Sequence, residues 1–339
     1  MVNVSINGAG RIGRLTLRDW LERDPGDPLR DQLNIVAIND LIDIPTLAYL
    51  LEFDSVHGRF KRKLSYDDEA LIIGDEGLRI PVYSEEEPEE LPWQEEGVKA
   101  VIESTGVFRK KEEASRHIKA GASKVVISAP AKGEVPTYVL GVNDKTLDKD
   151  DTVISNASCT TNCLAPMVKL LDDNWGVESG FMNTVHAYTA DQNLQDGPHS
   201  KDLGRARAAG VNIVPTSTGA ADAIGHIMPH LEGRLEGMAM RVPVVDGSIT
   251  DLTVTLEEMP TVQGVNELLK DASQGPMKGI LDYSEKNLVS SDIVGDPHSC
   301  IIDGSRTRMI DRTVKLVAWY DNEAAYSRRL LELTRRFTQ

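Results

Sequence analysis

Only three cysteines occur in 339 residues, aromatic side chains make up just 5%, and lysine plus arginine (37) falls well short of aspartate plus glutamate (53). Each scarcity excludes something. Cys159, Cys163 and Cys300 cannot form an even disulfide framework, and the close pair lacks the CxxC spacing of a structural zinc site. A net charge of −16 argues against a general polyanion binder, because nucleic-acid affinity rests on Lys and Arg displacing counterions from phosphates. Long apolar runs are also missing. The start, Met1-Val2-Asn3-Val4-Ser5-Ile6, has neither the basic stretch nor the hydrophobic block of a signal peptide, so a cytoplasmic protein without a membrane partner is expected. The acidic excess also suits a salty cytoplasm, where carboxylates keep a surface hydrated.

What remains is a globular composition, 40% hydrophobic and 27% charged. The length predicts about two domains. Val2, Val4 and Ile6 alternate with polar residues and run into Asn7-Gly8-Ala9-Gly10-Arg11-Ile12-Gly13, which reads as strand, glycine turn, helix. Leu17, Trp20 and Leu21 continue the helix until Pro25-Gly26-Asp27-Pro28 breaks it, and a second strand, Leu33 to Ile38, closes on Asn39-Asp40. The alternation continues through Lys99–Ser104, a helix around Glu112–Ala120, and strands at Val125–Ser128 and Thr152–Ser155. This predicts an α/β fold whose first domain is a doubly wound parallel sheet of Rossmann type. Hairpin-like segments are expected near Phe60–Tyr66 and Leu71–Val82, and the acidic stretch Glu85–Glu96 reads as a solvated surface loop.

Beyond Cys159 the texture changes. A helix through Leu164, Met167, Val168 and Leu171 precedes long alternating strands such as Met238–Val244 and Leu252–Leu256, predicting an α+β domain with a mostly antiparallel sheet. Tyr326–Phe337 reads as an Arg-rich amphipathic helix. The expected division is a nucleotide-binding domain over 1–158 with 322–339 and a catalytic domain over 159–321.

Two motifs carry chemistry. The pattern Gly8-x-Gly10-x-x-Gly13 lets backbone approach a pyrophosphate, whose charge is met by free amides at a helix N-terminus. Asp40 ends the next strand, where its carboxylate can accept from ribose hydroxyls; it comes later than the usual gap of about 20 residues because of the proline-rich insert. The second motif is Ser155-Asn156-Ala157-Ser158-Cys159-Thr160-Thr161-Asn162-Cys163, where a strand ends and a helix begins at a cysteine. A free thiol is only about 3% ionised at pH 7, and a helix N-terminus with a neighbouring imidazole lowers its pKa. His186, on a predicted strand, is the candidate partner. Cys163 and Cys300 read as core residues, and His226 with His230 share helical spacing but lack an obvious third metal ligand.

These motifs, with Asp54-Ser55-Val56-His57-Gly58, Glu103-Ser104-Thr105-Gly106, Ser128-Ala129-Pro130, His186-Ala187-Tyr188-Thr189, Pro215–Ala221 and Trp319-Tyr320-Asp321-Asn322-Glu323, occur in order along the chain. The sequence closely resembles the phosphorylating glyceraldehyde-3-phosphate dehydrogenase family over essentially its full length. The resemblance implies oxidation of D-glyceraldehyde 3-phosphate to 1,3-bisphosphoglycerate with NAD and inorganic phosphate. Cys159 would form a thiohemiacetal and then a thioester, with His186 as base. It further implies that Thr189 and Arg241 hold the substrate phosphate. Ser158, Thr160, Arg205, Thr218 and Gly219 would contact substrate or attacking phosphate. Gly8, Gly10, Arg11, Ile12, Gly13, Asp40, Leu41, Ser104, Thr105, Ser128, Pro198 and Asn322 would line the cofactor, and the expected assembly is a homotetramer.

Three departures from the family pattern stand out. Gly197 replaces a bulkier residue common beside Pro198, which leaves NADP as a second cofactor beside NAD. Gly204 stands where many members carry an inter-subunit arginine, and Ala324-Ala325 replaces a usual glycine. The alternatives are an erythrose-4-phosphate dehydrogenase, which releases the acyl group to water, and a non-catalytic nucleotide-binding protein on the same scaffold.

Overall fold

The computed structural model describes residues 1–339 and divides them into two compact units. The first comprises Met1–Tyr138, Thr146–Ala157 and Ser327–Gln339; the second comprises Val139–Lys145 and Ser158–Tyr326.

In the first unit the elements follow as β1 (Val2–Asn7), α1 (Arg11–Leu21), α2 (Pro28–Gln32), β2 (Leu33–Asn39), α3 (Ile44–Glu52) and the short pair β3 (Phe53–Asp54) and β4 (Gly58–Arg59). Next come β5 (Leu64–Tyr66), β6 (Ala70–Ile73), β7 (Leu78–Tyr83), β8 (Ala100–Glu103), α4 (Lys111–Ala114), α5 (Arg116–Lys119), β9 (Lys124–Ile127) and β10 (Val153–Ser155). One sheet runs β10-β9-β8-β1-β2-β7-β6-β5, parallel from β10 to β7 and antiparallel across β7, β6 and β5. The strand order reverses between β1 and β8, which makes their carboxyl ends the topological switch point where doubly wound sheets take ligands. Val4, Ile35, Val101 and Val125 are fully or almost fully buried along the parallel strands, as a sheet covered on both faces requires.

Three local readings are corrected. The helix expected over Glu112–Ala120 is two short helices broken at Ser115. Phe60–Tyr66 forms no hairpin of its own: β5 pairs with β6, and β6 turns into β7, which joins the parallel strands beside β2. The acidic stretch Glu85–Glu96 is more than a solvated loop, because Leu91 is 3% exposed and Trp93 is sealed from solvent. Trp93 packs edge-on to Tyr83 at 6.3 Å and belongs to the core with Val101, Val125 and Ile127, while Glu87 and Glu89 pair with Arg116 on the outside.

The long segment of the second unit opens with α6 (Cys159–Trp175), in which Pro166 withholds one amide from the helical ladder. It continues with β11 (Val177–Ala187), β12 (Val214–Ser217), α7 (Ala220–Ile227), β13 (Leu235–Val242), β14 (Ser248–Leu256), α8 (Val262–Gln274), β15 (Leu281–Ser284), α9 (Ser290–Ile293), β16 (Cys300–Asp303), β17 (Arg308–Ile310) and β18 (Thr313–Tyr320). Its sheet runs β12-β13-β11-β14-β18-β16-β15, with β17 beside β18. Only the β11–β13 and β15–β16 pairs are parallel. β14 alternates buried and half-buried residues along its whole length, the period-2 pattern of a sheet with one covered face. The closing helix α10 (Ala324–Phe337) buries Leu330, Leu331, Leu333 and Phe337, and in the first unit Arg328 pairs with Asp19 at 2.7 Å.

Candidate active site

In the first unit the glycine turn has a separate reason for each glycine. Gly8 has φ +92°, and a Cβ there would stand 2.6 Å from the Thr105 amide nitrogen. At Gly13 a Cβ would stand 2.0 Å from the Gly8 carbonyl, so α1 packs directly on the turn, whereas a Cβ at Gly10 meets nothing within 4 Å. The open side is therefore at Gly10, the N-cap of α1, where no side chain caps the helix and no acid lies in its first turn. An uncapped helix start with clear approach fits a pyrophosphate. Arg11 is beside it, held by Asp54 at 2.5 Å, and Asp54 in turn accepts from the Val56 and His57 amides at 2.9 Å. Those backbone bonds and the Arg11 guanidinium outweigh burial and hold the Asp54 carboxyl down at about 2.

Asp40 does more than face outward. One carboxylate oxygen accepts from the Ala9 amide at 2.5 Å and the other from the Ile42 amide at 3.1 Å, so it helps close the glycine turn. Leu41 beside it is 60% exposed. The Ser104 hydroxyl donates to the carbonyls of Gly8 at 2.6 Å and Asn7 at 3.0 Å, Thr105 donates to Glu103, and half-buried Ser128 is held through its amide by the Glu103 carbonyl at 2.9 Å.

In the second unit Cys159 is the first residue of α6, whose N-cap Ser158 accepts from the Thr161 amide at 3.0 Å. Ala157, just before, takes a left-handed φ of 56° that a side chain rarely adopts. The Cys159 Sγ lies 3.5 Å from His186 Nε2 at the end of β11, and His186 is 4% exposed. His186 Nδ1 stands 2.7 Å from the Ala187 carbonyl, which can only accept, so Nδ1 carries the hydrogen and Nε2 turns its lone pair toward the thiol. Arg241 Nη1 sits 3.1 Å from the same Nδ1 and finds its own acceptors in the Ala187 carbonyl at 3.2 Å and Thr189 Oγ1 at 2.8 Å.

The expected lowering of the thiol pKa is corrected. Burial pushes Cys159 up to about 11 despite the opposing Arg241 charge, and burial followed by that same charge pushes His186 down to about 4. Desolvation penalises both charged forms and outweighs the local attraction. The pair therefore rests uncharged at neutral pH, with the His186 Nε2 lone pair turned toward the thiol.

Around this pair, Tyr320 packs edge-on to His186 at 5.9 Å and shares its hydroxyl with Thr160 at 2.9 Å and Thr184 at 2.8 Å. Thr160 is accordingly 4% exposed with its hydroxyl engaged. Arg205 donates to Thr216 at 3.0 Å and to Asp191 at 2.5 Å, and Asp191 accepts from Thr189, which makes an Arg241–Thr189–Asp191–Arg205 chain. Half-buried Thr218 and exposed Gly219 stand at the start of α7. Pro198 is exposed, Gly197 has Asn193 Nδ2 3.3 Å from its Cβ direction, and Asn322 is oriented by Ser248, whose hydroxyl donates to its Oδ1 at 2.6 Å. Gly204 has Asp202 and Val214 atoms 3.1 Å from a Cβ position, so a larger residue there needs its neighbours to move.

Sequence reasoning missed several participants. Tyr320 and Asp321 lay inside a recognised motif without a role, as did Asp54, whereas Asp191, Ser248 and Asp246 gave no local signal. Asp246 is 1% exposed; burial and the neighbouring Asp321 and Glu323 carboxylates push its carboxyl up to about 8. His226 and His230 do not share a helix face: His230 lies beyond α7 and pairs with Asp172 at 2.6 Å.

Comparison with known proteins finds family models on both parts of the chain. Residues 2–111 match the family model described as glyceraldehyde 3-phosphate dehydrogenase, NAD binding domain, and residues 158–322 match that of the C-terminal domain. Glyceraldehyde-3-phosphate dehydrogenase of Mycolicibacterium smegmatis is 52% identical over 333 residues, 98% of this chain and 97% of the relative. Glyceraldehyde-3-phosphate dehydrogenase 2 of Streptomyces arenae is 53% identical over the same shares. A cysteine paired with an imidazole base in one unit, a dinucleotide turn in the other, and identity of this extent make the chain a member of the glyceraldehyde-3-phosphate dehydrogenase family.

Proposed function

We propose that this chain oxidises D-glyceraldehyde 3-phosphate to 1,3-bisphosphoglycerate with NAD and inorganic phosphate. The observation that carries the reading is the 3.5 Å approach of Cys159 Sγ to the bare Nε2 of His186, beside Arg241. Sγ adds to the aldehyde carbon while Nε2 takes the thiol proton and returns it to the carbonyl oxygen, giving a thiohemiacetal. NAD, when bound, supplies an acceptor for the hydride of the reacting carbon. His186 removes the hydroxyl proton in that step, leaving a thioester on Cys159. Inorganic phosphate then attacks the thioester carbonyl, and Sγ leaves with restoration of its proton.

Binding roles follow from the same reading. Arg241 and Thr189 hold the substrate phosphate, and Ser158, Thr160, Arg205, Thr218 and Gly219 form the phosphate-binding environment of the reaction; guanidinium groups and hydroxyls suit tetrahedral oxyanions. Gly8–Gly13 with Asp40, Leu41, Ser104, Thr105 and Ser128 receives the dinucleotide, and Pro198 and Asn322 contribute toward it. Residues 1–158 with 322–339 serve the cofactor, and 159–321 serve catalysis. NAD is the principal cofactor, and Gly197 admits NADP as a second.

We infer a homotetramer acting in the cytoplasm. Phe181 at 71%, Leu203 at 84%, Val211 at 78% and Ile213 at 67% exposure are large apolar groups whose cover by a second copy supports that assembly. No helix is long and apolar enough to cross a membrane.

Formation of reduced nicotinamide from glyceraldehyde 3-phosphate and NAD, with and without inorganic phosphate, tests the reaction. Phosphate-dependent turnover is expected. Sustained turnover without phosphate would redirect the reading to hydrolysis, and absence of turnover would leave a binding protein.

A further inference from the structure

A polar cluster is sealed beneath the glycine turn of the first unit. Glu103, at the end of β8, is 1% exposed, and its Oε2 accepts from Asn7 Nδ2 at 2.6 Å and from His117 Nε2 at 3.0 Å. Its Oε1 accepts from the Thr105 amide at 2.9 Å and from the Thr105 hydroxyl. Asn7, at the end of β1, accepts through Oδ1 from Asn39 Nδ2 at 2.7 Å. Asn39, at the end of β2, donates to the Glu85 carbonyl at 2.9 Å and accepts from the Glu85 amide at 2.8 Å.

The direction of the His117–Glu103 bond is fixed from the far end. Trp93 Nε1 lies 3.0 Å from His117 Nδ1, and an indole N–H can only donate. Nδ1 is therefore bare and Nε2 carries the hydrogen that goes to Glu103. Trp93 and His117 are both fully sealed from solvent, which is why an acidic surface stretch sends a tryptophan inward.

Holding strands together does not require this arrangement. Burying a carboxyl group is costly, and apolar side chains join the same strands along the rest of their length. What distinguishes the cluster is its position: it ties the carboxyl ends of β8, β1 and β2, which bear Thr105, the Gly8 turn and Asp40. A Cβ at Gly8 would stand 2.6 Å from the Thr105 amide nitrogen, so the turn packs against Thr105, whose hydroxyl also accepts from the Val107 amide at 3.1 Å.

We propose that Glu103 is a positioning residue for the dinucleotide, clamping Thr105 on one side and the Asn7–Asn39 pair on the other so that the three strand ends present a preformed cofactor cradle. The inference rests on the reading that the Gly8–Gly13 turn binds NAD. Glu103 touches no ligand itself; it acts through Thr105 and the turn.

Glu103→Gln keeps the shape and forces an NH2 group against donors, either those of Asn7 and His117 or those of Thr105. Titration calorimetry of the NAD-free protein with NAD should give a Kd about tenfold higher than wild type, the scale expected for loss of a hydrogen bond to a charged group. Iodoacetamide labelling of Cys159 without NAD should stay within about twofold, because the thiol pair lies in the other unit and the change is local. Trp93→Phe, which removes the donor that fixes His117 together with part of a buried ring, should raise the NAD Kd about threefold and serves if Glu103→Gln does not fold. NAD affinity within twofold of wild type in the folded variant overturns the proposal, as does a loss of affinity matched by an equal loss of Cys159 labelling and urea resistance. Failure of wild-type protein to bind NAD would instead remove the reading on which the proposal stands.

Discussion

His186 and Arg241 are register partners across the parallel pair β11–β13, so the base and the cation beside it rise from the same face of the sheet. Their separation is 3.1 Å from Nη1 to Nδ1. The charge that suits Arg241 to a phosphate thus also discourages a proton on His186.

Titration of the His186 imidazole should follow from this pairing. In wild type it is expected at about 4, pushed down by burial and then by Arg241, whereas Arg241→Met should move it up toward the ordinary histidine value. Proton NMR of the imidazole across pH 3.5–7.5 reads this directly, and a wild-type midpoint near about 6.5 would show that the ring is solvated.

Removing the proposed nucleophile separates chemistry from binding. Cys159→Ser should lose turnover by at least about 10⁴-fold, since the hydroxyl is a far poorer nucleophile beside a neutral imidazole, while NAD affinity stays near wild type. Steady-state rates and calorimetry on the same preparation check both halves. Retained turnover would move the nucleophile elsewhere.

Asp246 should make stability depend on pH. Its carboxyl keeps a proton up to about 8 in the fold, while the unfolded chain releases it near the ordinary aspartate value of 3.8. Between those values the folded state binds more protons, so stability declines as pH rises through the window. Thermal midpoints of wild type should fall more between pH 5 and 8 than those of Asp246→Asn, and parallel slopes would show an ordinary carboxylate.

Cofactor choice should respond to Asp40 in two separable ways. Asp40→Ala removes both the charge that repels a 2′-phosphate and the acceptor for Ala9, whereas Asp40→Asn keeps an acceptor oxygen. The NAD to NADP preference should narrow in both variants, and overall dinucleotide affinity should drop further in the alanine variant. An unchanged preference in both would place specificity on other residues.

Much of the site was legible because its parts are local in sequence. The glycines announce the turn through their own conformational needs, and Ser158-Cys159 announces a helix start by an N-cap pattern. His186 was readable as a strand residue. Burial was not readable, and it reverses the expected direction of the thiol shift. Contacts between residues far apart in sequence were equally hidden. Nothing around Trp93 points to His117, and nothing around Asp246 points to Asp321, because each pairing exists only once sheet order brings the segments together. The break at Ser115 illustrates the remaining gap: the apolar spacing of one helix is compatible with two short ones in succession.

Pro166 gives α6 a mechanical seam. Without an amide at that position, the opening turns, which carry Cys159 at their tip, are joined to the remainder of the helix by one fewer hydrogen bond. The bond that an amide at position 166 would make to the carbonyl of residue 162 is therefore missing, about two turns from Cys159. On the Cys159 side of that gap the opening turn has anchors of its own, the Ser158 cap and the Thr160–Tyr320 contact.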